Sequence, residues 1–121
     1  YPRIKDHIIR EDTVYQWRRK YVRENKKGVV PTLTANMGTG GHNVPIIKHG
    51  KGIRKLTPKE CFLLQGFPED FKLPENLSDA KLYHQAGNSV TVSVVEKIAI
   101  VLKEGKIFLS QFDILWFHNS K

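Results

Sequence analysis

Residues 54–90 read RKLTPKECFLLQGFPEDFKLPENLSDAKLYHQAGNSV, and this stretch opens with a helix start written out almost in full. Thr57 can accept from the backbone N–H three residues on, Pro58 suits the first helical position, and Glu60 can reach back to the Thr57 amide, which together make a capping box. Leu56 and Cys61 stand where a hydrophobic staple needs them. The pattern predicts a helix over about 58–65. A turn follows at Gly66-Phe67-Pro68, where Pro68 also biases Phe67 away from helix. Ser78 then serves as N-cap for a second helix over about 79–86. Gly87 is expected to end that helix with positive φ, ahead of Asn88 and Ser89, two residues good at starting another. These features specify a compact helical unit and name no chemistry.

Toward the C-terminus, Val94, Val95, Ile98, Val101 and Leu102 recur at three- and four-residue steps and predict a last helix with an apolar stripe. Ser93 with Glu96 offers one start for it; Ser89 offers an earlier one. From Gly105 onward, Ile107-Phe108-Leu109 and residues 112–117 make an apolar tail that either folds back on the domain or meets another chain. Toward the N-terminus, the alternation in Val14 to Arg23 predicts a strand, Lys26-Lys27-Gly28 a turn, and Val29 to Thr34 a second short strand that Pro31 either confines to an edge or interrupts. Ala35 to Asn43 carries Gly38, Gly40 and Gly41 and reads as a loop. Val44 to Ile47 resumes an extended run, Lys48 to Gly52 is expected to turn, and Ile53 leads to the capping box. The fold class expected is mixed α/β, a small twisted antiparallel sheet with loops followed by helices.

The chain has 121 residues, 40% of them hydrophobic, enough for one domain or two small lobes. Twenty Lys+Arg against 12 Asp+Glu give a net charge of +8, which fits either a polyanionic partner or a basic solubilising surface. One cysteine makes no internal disulfide and points to a reducing compartment. Cys61 is expected to be a buried helix residue, with nothing arranged by sequence to activate it as a nucleophile. The longest apolar run, near Val94 to Leu102, is too short for a membrane span, and no signal peptide pattern stands at Tyr1. The histidines at 7, 42, 49, 84 and 118 show no zinc-ligand spacing, so no metal site is expected.

Residues 54–61, with Leu64-Gln65-Gly66-Phe67-Pro68, resemble the ninth sequence motif of bacterial DNA (cytosine-5) methyltransferases. Gln85-Ala86-Gly87-Asn88-Ser89-Val90 resembles the tenth. The resemblance runs from about Val14 to Glu104 and implies the C-terminal part of such an enzyme. Residues 1–53 would be the C-terminal part of a target recognition domain, and 54–121 the motif-bearing helical segment that returns to complete a Rossmann-like catalytic domain. It implies S-adenosylmethionine as cofactor, bound only with the missing N-terminal part, and a bacterial cytoplasmic location. The expected partners are double-stranded DNA, the missing N-terminal part or subunit and, for the isolated chain, a second copy of itself; no membrane is expected.

Carried onto this chain, the cofactor turn falls on Asn88, Ser89 and Val90; for Asn88 and Ser89 simple helix capping is the alternative that needs no ligand. DNA-contact candidates in the strand and glycine-rich loop are Thr32, Leu33, Asn36, Gly38, Thr39 and His42. Arg18, Arg19, Lys20 and Arg23, interleaved with Trp17 and Tyr21, form the densest basic-aromatic cluster. The guanidinium forks suit phosphate contact or, less readily, bidentate reading of guanine, or else the segment is a solvated strand face with its aromatic members turned to a core. Gln16-x-Arg18 shares its spelling with the family's eighth motif, but the turn at Lys26 to Gly28 and the Thr32-Leu33 element that follow place it in the recognition domain. The family's Pro-Cys loop, Glu-Asn-Val segment and glycine-rich first motif are all absent from the sequence, so no catalytic residue is assigned. The chain is thus expected to be a C-terminal fragment or the small subunit of a split enzyme, inactive alone. A stand-alone basic DNA-binding module without enzymatic activity is the alternative.

Overall fold

The computed structural model describes residues 3–18, 20–39 and 45–119, with side chains described through residue 105. By compactness the chain divides into two units, Tyr1–Val90 and Thr91–Lys121.

The first unit opens on a single 3-10 turn at Lys5–His7 and contains a four-stranded antiparallel sheet, formed by β1 (Tyr15–Arg18), β2 (Tyr21–Glu24), β3 (Pro45–His49) and β4 (Gly52–Lys55) in the order β2-β1-β3-β4. The alternation in Val14 to Arg23 is therefore two strands of a hairpin and not one continuous strand. Gly28 adopts φ 72° in the turn expected at Lys26 to Gly28, with Val29 N–H donating to the Lys26 carbonyl at 3.1 Å. Val29 to Thr34 is not a strand: it runs as irregular backbone, and Pro31 has no N–H to give a ladder. The expected turn at Lys48 to Gly52 narrows to Gly50-Lys51, with Gly50 at φ 57°, and the residues up to Lys55 form a fourth strand instead of a mere lead-in. Pro45 opens β3, a strand position where its missing donor does least harm.

Two helices follow in this unit, α1 (Pro58–Leu64) and α2 (Asp79–Asn88). The capping box of α1 forms as expected: Glu60 N–H donates to Thr57 Oγ1 at 3.2 Å, and Thr57 N–H donates to Glu60 Oε2 at 2.7 Å. Arg54 clamps the same carboxylate through two bonds of 2.8 Å. That guanidinium, aided by the Thr57 amide against the cost of burial, holds the Glu60 pKa at about 2. Leu56 and Cys61 both lie in the core cluster of Leu33, Met37, Leu56, Cys61, Phe62, Tyr83 and Ala86. Phe62, Phe67 and Phe71 pack as a ring trio beside it, with centroids 4.8 to 5.4 Å apart. Lys59 Nζ donates to the carbonyls of Glu69 and Phe71 and so fastens the turn after α1. A second cluster, Ile4, Ile8, Tyr15 and Ile46, lies under the sheet with Trp17, Val22 and Ile53.

Gly87 does not end α2. The helix continues through Asn88, with Ser89 as C-cap, and no positive φ occurs at Gly87. The second unit is a single helix, α3 (Val92–Asn119). It starts at neither Ser89 nor Ser93, since the Thr91 carbonyl accepts from both Val94 and Val95 N–H at 3.1 Å. Gly105 lies within it, so the backbone of the expected tail is helical. Val94, Val95, Ile98, Val101 and Leu102 are 44% to 65% exposed, so the apolar stripe is open to solvent.

Candidate functional site

Side chains alternate along a strand, and this sorts the first hairpin into two faces. Tyr15, Trp17 and Val22 join the apolar cluster under the sheet. Gln16 pairs directly with Arg23 in the β1–β2 register and lies on the opposite face; Arg18 and Asn25 keep that parity. There they line an open groove of about 290 Å³ together with Thr32 and Thr34 of the crossing segment. Three candidates, Arg18, Arg23 and Thr32, are thus brought together, while Trp17 is turned away from them. Arg19 and His42 lie outside the described residues.

The glycine-rich loop is held from beneath. Met37 is fully buried and Leu33 is 8% exposed, so the Leu33 side chain anchors the loop and does not face outward. Asn36 and Thr39 are exposed, and the loop is tightened by Met37 N–H to the Thr34 carbonyl at 3.0 Å and by Thr39 Oγ1 to the Asn36 carbonyl at 3.0 Å. Its floor is α2. A Cβ at Gly87 would stand 2.1 to 2.4 Å from backbone atoms of Thr34 and Ala35, and one at Gly38 would stand 2.8 Å from Tyr83 Cβ. Both glycines are therefore places where chain meets chain at closer than side-chain distance. Tyr83 is locked in turn by its hydroxyl, which donates to the Leu56 carbonyl at 2.6 Å.

One hydrogen-bond chain links this loop to the expected cofactor turn. His84 Nδ1 lies 3.1 Å from the Ala35 carbonyl, which can only accept, so Nδ1 carries the proton. Nε2 is then free to accept from Asn88 Nδ2 at 3.1 Å. Ser89 donates its hydroxyl to the Ala86 carbonyl at 2.7 Å and its N–H to the Gln85 carbonyl at 2.9 Å, so it caps α2. Asn88 and Val90 are exposed. The turn presents a carboxamide, hydroxyl lone pairs and an apolar side chain, a donor set that fits the edge of a small ligand with polar and apolar parts.

Cys61 is fully buried, and burial pushes its thiol pKa up to about 12. A thiol in that state is no nucleophile near neutral pH. Among the described residues no group of three or more His, Cys, Asp or Glu could hold a metal ion, and no helix is long and apolar enough to cross a membrane. Gln16 and Asn25 are polar groove residues that the sequence did not mark as DNA contacts. The available signal was their even spacing from Arg18 and Arg23, which becomes informative only once the pairing of Arg18 with Tyr21 is known.

The family model described as C-5 cytosine-specific DNA methylase matches residues 2–104, and the chain belongs to that family. Type II methyltransferase M.Bsp6I of Bacillus sp. (strain RFL6) is 64% identical over 99 residues, 82% of this chain and 31% of that protein. Type II methyltransferase M.NlaX of Neisseria lactamica is 44% identical over 72 residues, covering 60% of this chain and 22% of that protein. For Type II methyltransferase M.MspI of Moraxella sp the identity is 42% over 82 residues, with 63% and 18% covered. The chain therefore spans less than a third of the length of these relatives. No solved structure matches it.

Proposed function

We propose that this chain is the C-terminal part or small subunit of a DNA cytosine-5 methyltransferase of the bacterial cytoplasm. Joined to the part that carries the Pro-Cys loop, it moves a methyl group from S-adenosylmethionine to C5 of cytosine in a specific duplex sequence. The observation that carries this reading is the docking of the 34–39 loop on α2 at Gly87, next to Asn88. It ties a DNA-facing loop to a ligand-facing turn in one packed unit. A cytosine must leave the helix stack before its ring can be attacked, so the enzyme has to hold DNA and cofactor in fixed relation.

In this reading residues 1–53 complete the recognition domain, and 54–121 return to complete a Rossmann-like catalytic domain, where the open stripe of α3 finds its cover. Arg18, Arg19 and Arg23 hold phosphates. Thr32, Asn36, Gly38, Thr39 and His42 face the DNA, with Leu33 as the buried anchor beneath them. Asn88, Ser89 and Val90 would hold S-adenosylmethionine, which supplies the electrophilic methyl group. The attacking thiolate comes from elsewhere, because the only cysteine here is the inert Cys61.

The test is complementation. This chain and a separately produced N-terminal part with the Pro-Cys loop should each be inactive with labelled S-adenosylmethionine and duplex DNA, and active when mixed. In the mixture, Asn88→Ala should raise the cofactor requirement and leave DNA affinity in place. Methyl incorporation by this chain alone would overturn the proposal. Salt-dependent duplex binding with no methyl transfer on mixing would mark a stand-alone DNA-binding module.

A further inference from the structure

We infer that the groove between the β1–β2 hairpin and residues 29–34 is a base-reading pocket, in which Gln16 accepts from, and Asn25 donates to, the edge of one base of bound DNA. This role rests on the DNA-contact reading above and adds two residues to it. Gln16 is 3% exposed and Asn25 8% exposed, yet Gln16 Oε1 and Asn25 Nδ2 have no hydrogen-bond partner among the described residues. Both residues line the same groove. Buried polar atoms are nearly always paired, so two orphans of opposite polarity in one groove mark a place for a ligand that brings its own donor and acceptor.

The backbone beneath both side chains is held in place. Gln16 sits mid-ladder, between Arg23 of β2 and Pro45 of β3. The Asn25 backbone is fixed by its N–H to the Val14 carbonyl at 3.0 Å and by Thr13 Oγ1 to its own carbonyl at 2.6 Å. The pair of orphans also selects the ligand class. A phosphate offers only acceptors and leaves Gln16 Oε1 unmet, while a metal cation would face two guanidinium groups. The major-groove edge of adenine carries an amino donor, N6, beside a ring-nitrogen acceptor, N7, which satisfies both. Arg18 and Arg23, on the same groove, supply the charge that draws DNA to it.

The experiment is selection from a random duplex pool by the full chain, repeated with Gln16→Met and Asn25→Leu, with a circular-dichroism melt of each variant. The parent should enrich a base preference. Each variant should keep its salt-dependent affinity for the pool and lose discrimination at one base pair by roughly 5- to 150-fold. Asn25→Asp, which turns the donor into an acceptor at constant shape, should change the preferred base, and it carries the test if an apolar variant fails to fold. Unchanged preference in folded variants would show the groove to be filled by structural water and would overturn the inference alone. A uniform loss of affinity across sequences would do the same, by assigning the groove to the backbone. Failure of the parent to bind the pool would overturn the DNA-contact reading as well.

Discussion

The floor of the glycine-rich loop and the groove behind the first hairpin lie in one compact unit, and they treat buried polar groups in opposite ways. Beneath the loop, Tyr83 hydroxyl reaches the Leu56 carbonyl and Gln65 Nε2 reaches the Ala86 carbonyl at 3.2 Å. In the groove, Gln16 Oε1 and Asn25 Nδ2 are buried with no hydrogen-bond partner among the described residues. An unmet buried polar group costs about 1–3 kcal/mol, so the groove carries a standing penalty that the loop floor avoids. The floor is built for a fixed shape. The groove holds unused hydrogen-bonding capacity, as a surface completed by a partner should.

The sharpest way to break this contrast is Gly87→Ala. Its methyl would meet Thr34 and Ala35 backbone at 2.1 to 2.4 Å, far inside contact distance. Helix propensity favours alanine by about 1 kcal/mol, yet the clash should dominate and destabilise the unit by about 3 kcal/mol or more. Urea unfolding measures this, and unaltered stability would mean the loop is not seated on α2.

A smaller effect is expected at the edge of the packed side. Because the Glu60 carboxyl is held at about 2 in the folded chain, below its ordinary 4.5, its contribution is fully present above about pH 4.5 and is lost as pH falls toward 2. The pair is about one-third exposed, so after allowance for solvent screening the loss should be about 1 kcal/mol. Stability measured from pH 6 to pH 2 should show this loss in the parent and a flatter profile in Glu60→Gln.

The smallest stability change belongs to the groove. Gln16→Met removes an orphan acceptor at nearly constant shape and should leave stability within about 1 kcal/mol of the parent, or raise it. A large destabilisation would show that the groove is as structural as the loop floor.

Much of the helical half was legible in the residues themselves. The capping box at Thr57, Pro58 and Glu60, the staple of Leu56 and Cys61, and the burial of Cys61 follow from side chains within five residues of one another. The turns at Gly28 and Gly50 were legible for the same reason. The extended reading of Val29 to Thr34 failed because β-branched residues report a preference for extended backbone and not the presence of a strand to pair with. Leu33 was grouped with the DNA-facing residues, but its side chain belongs to the core below them.

Sequence by itself determined the family, through two motifs in order, and determined the local helix chemistry, because caps and turns are settled by bonds between near neighbours. Only the tertiary structure decided what Gly87 is for. From the chain it reads as a helix terminator with positive φ; in the fold it stays helical, and its missing side chain lets backbone from fifty-odd residues earlier lie against the helix. Likewise only the sheet register could place Gln16 and Asn25 in one groove with Arg18 and Arg23. Which face a residue takes depends on where the hairpin turns and what crosses above it, and those long-range contacts are written in no single stretch of the chain.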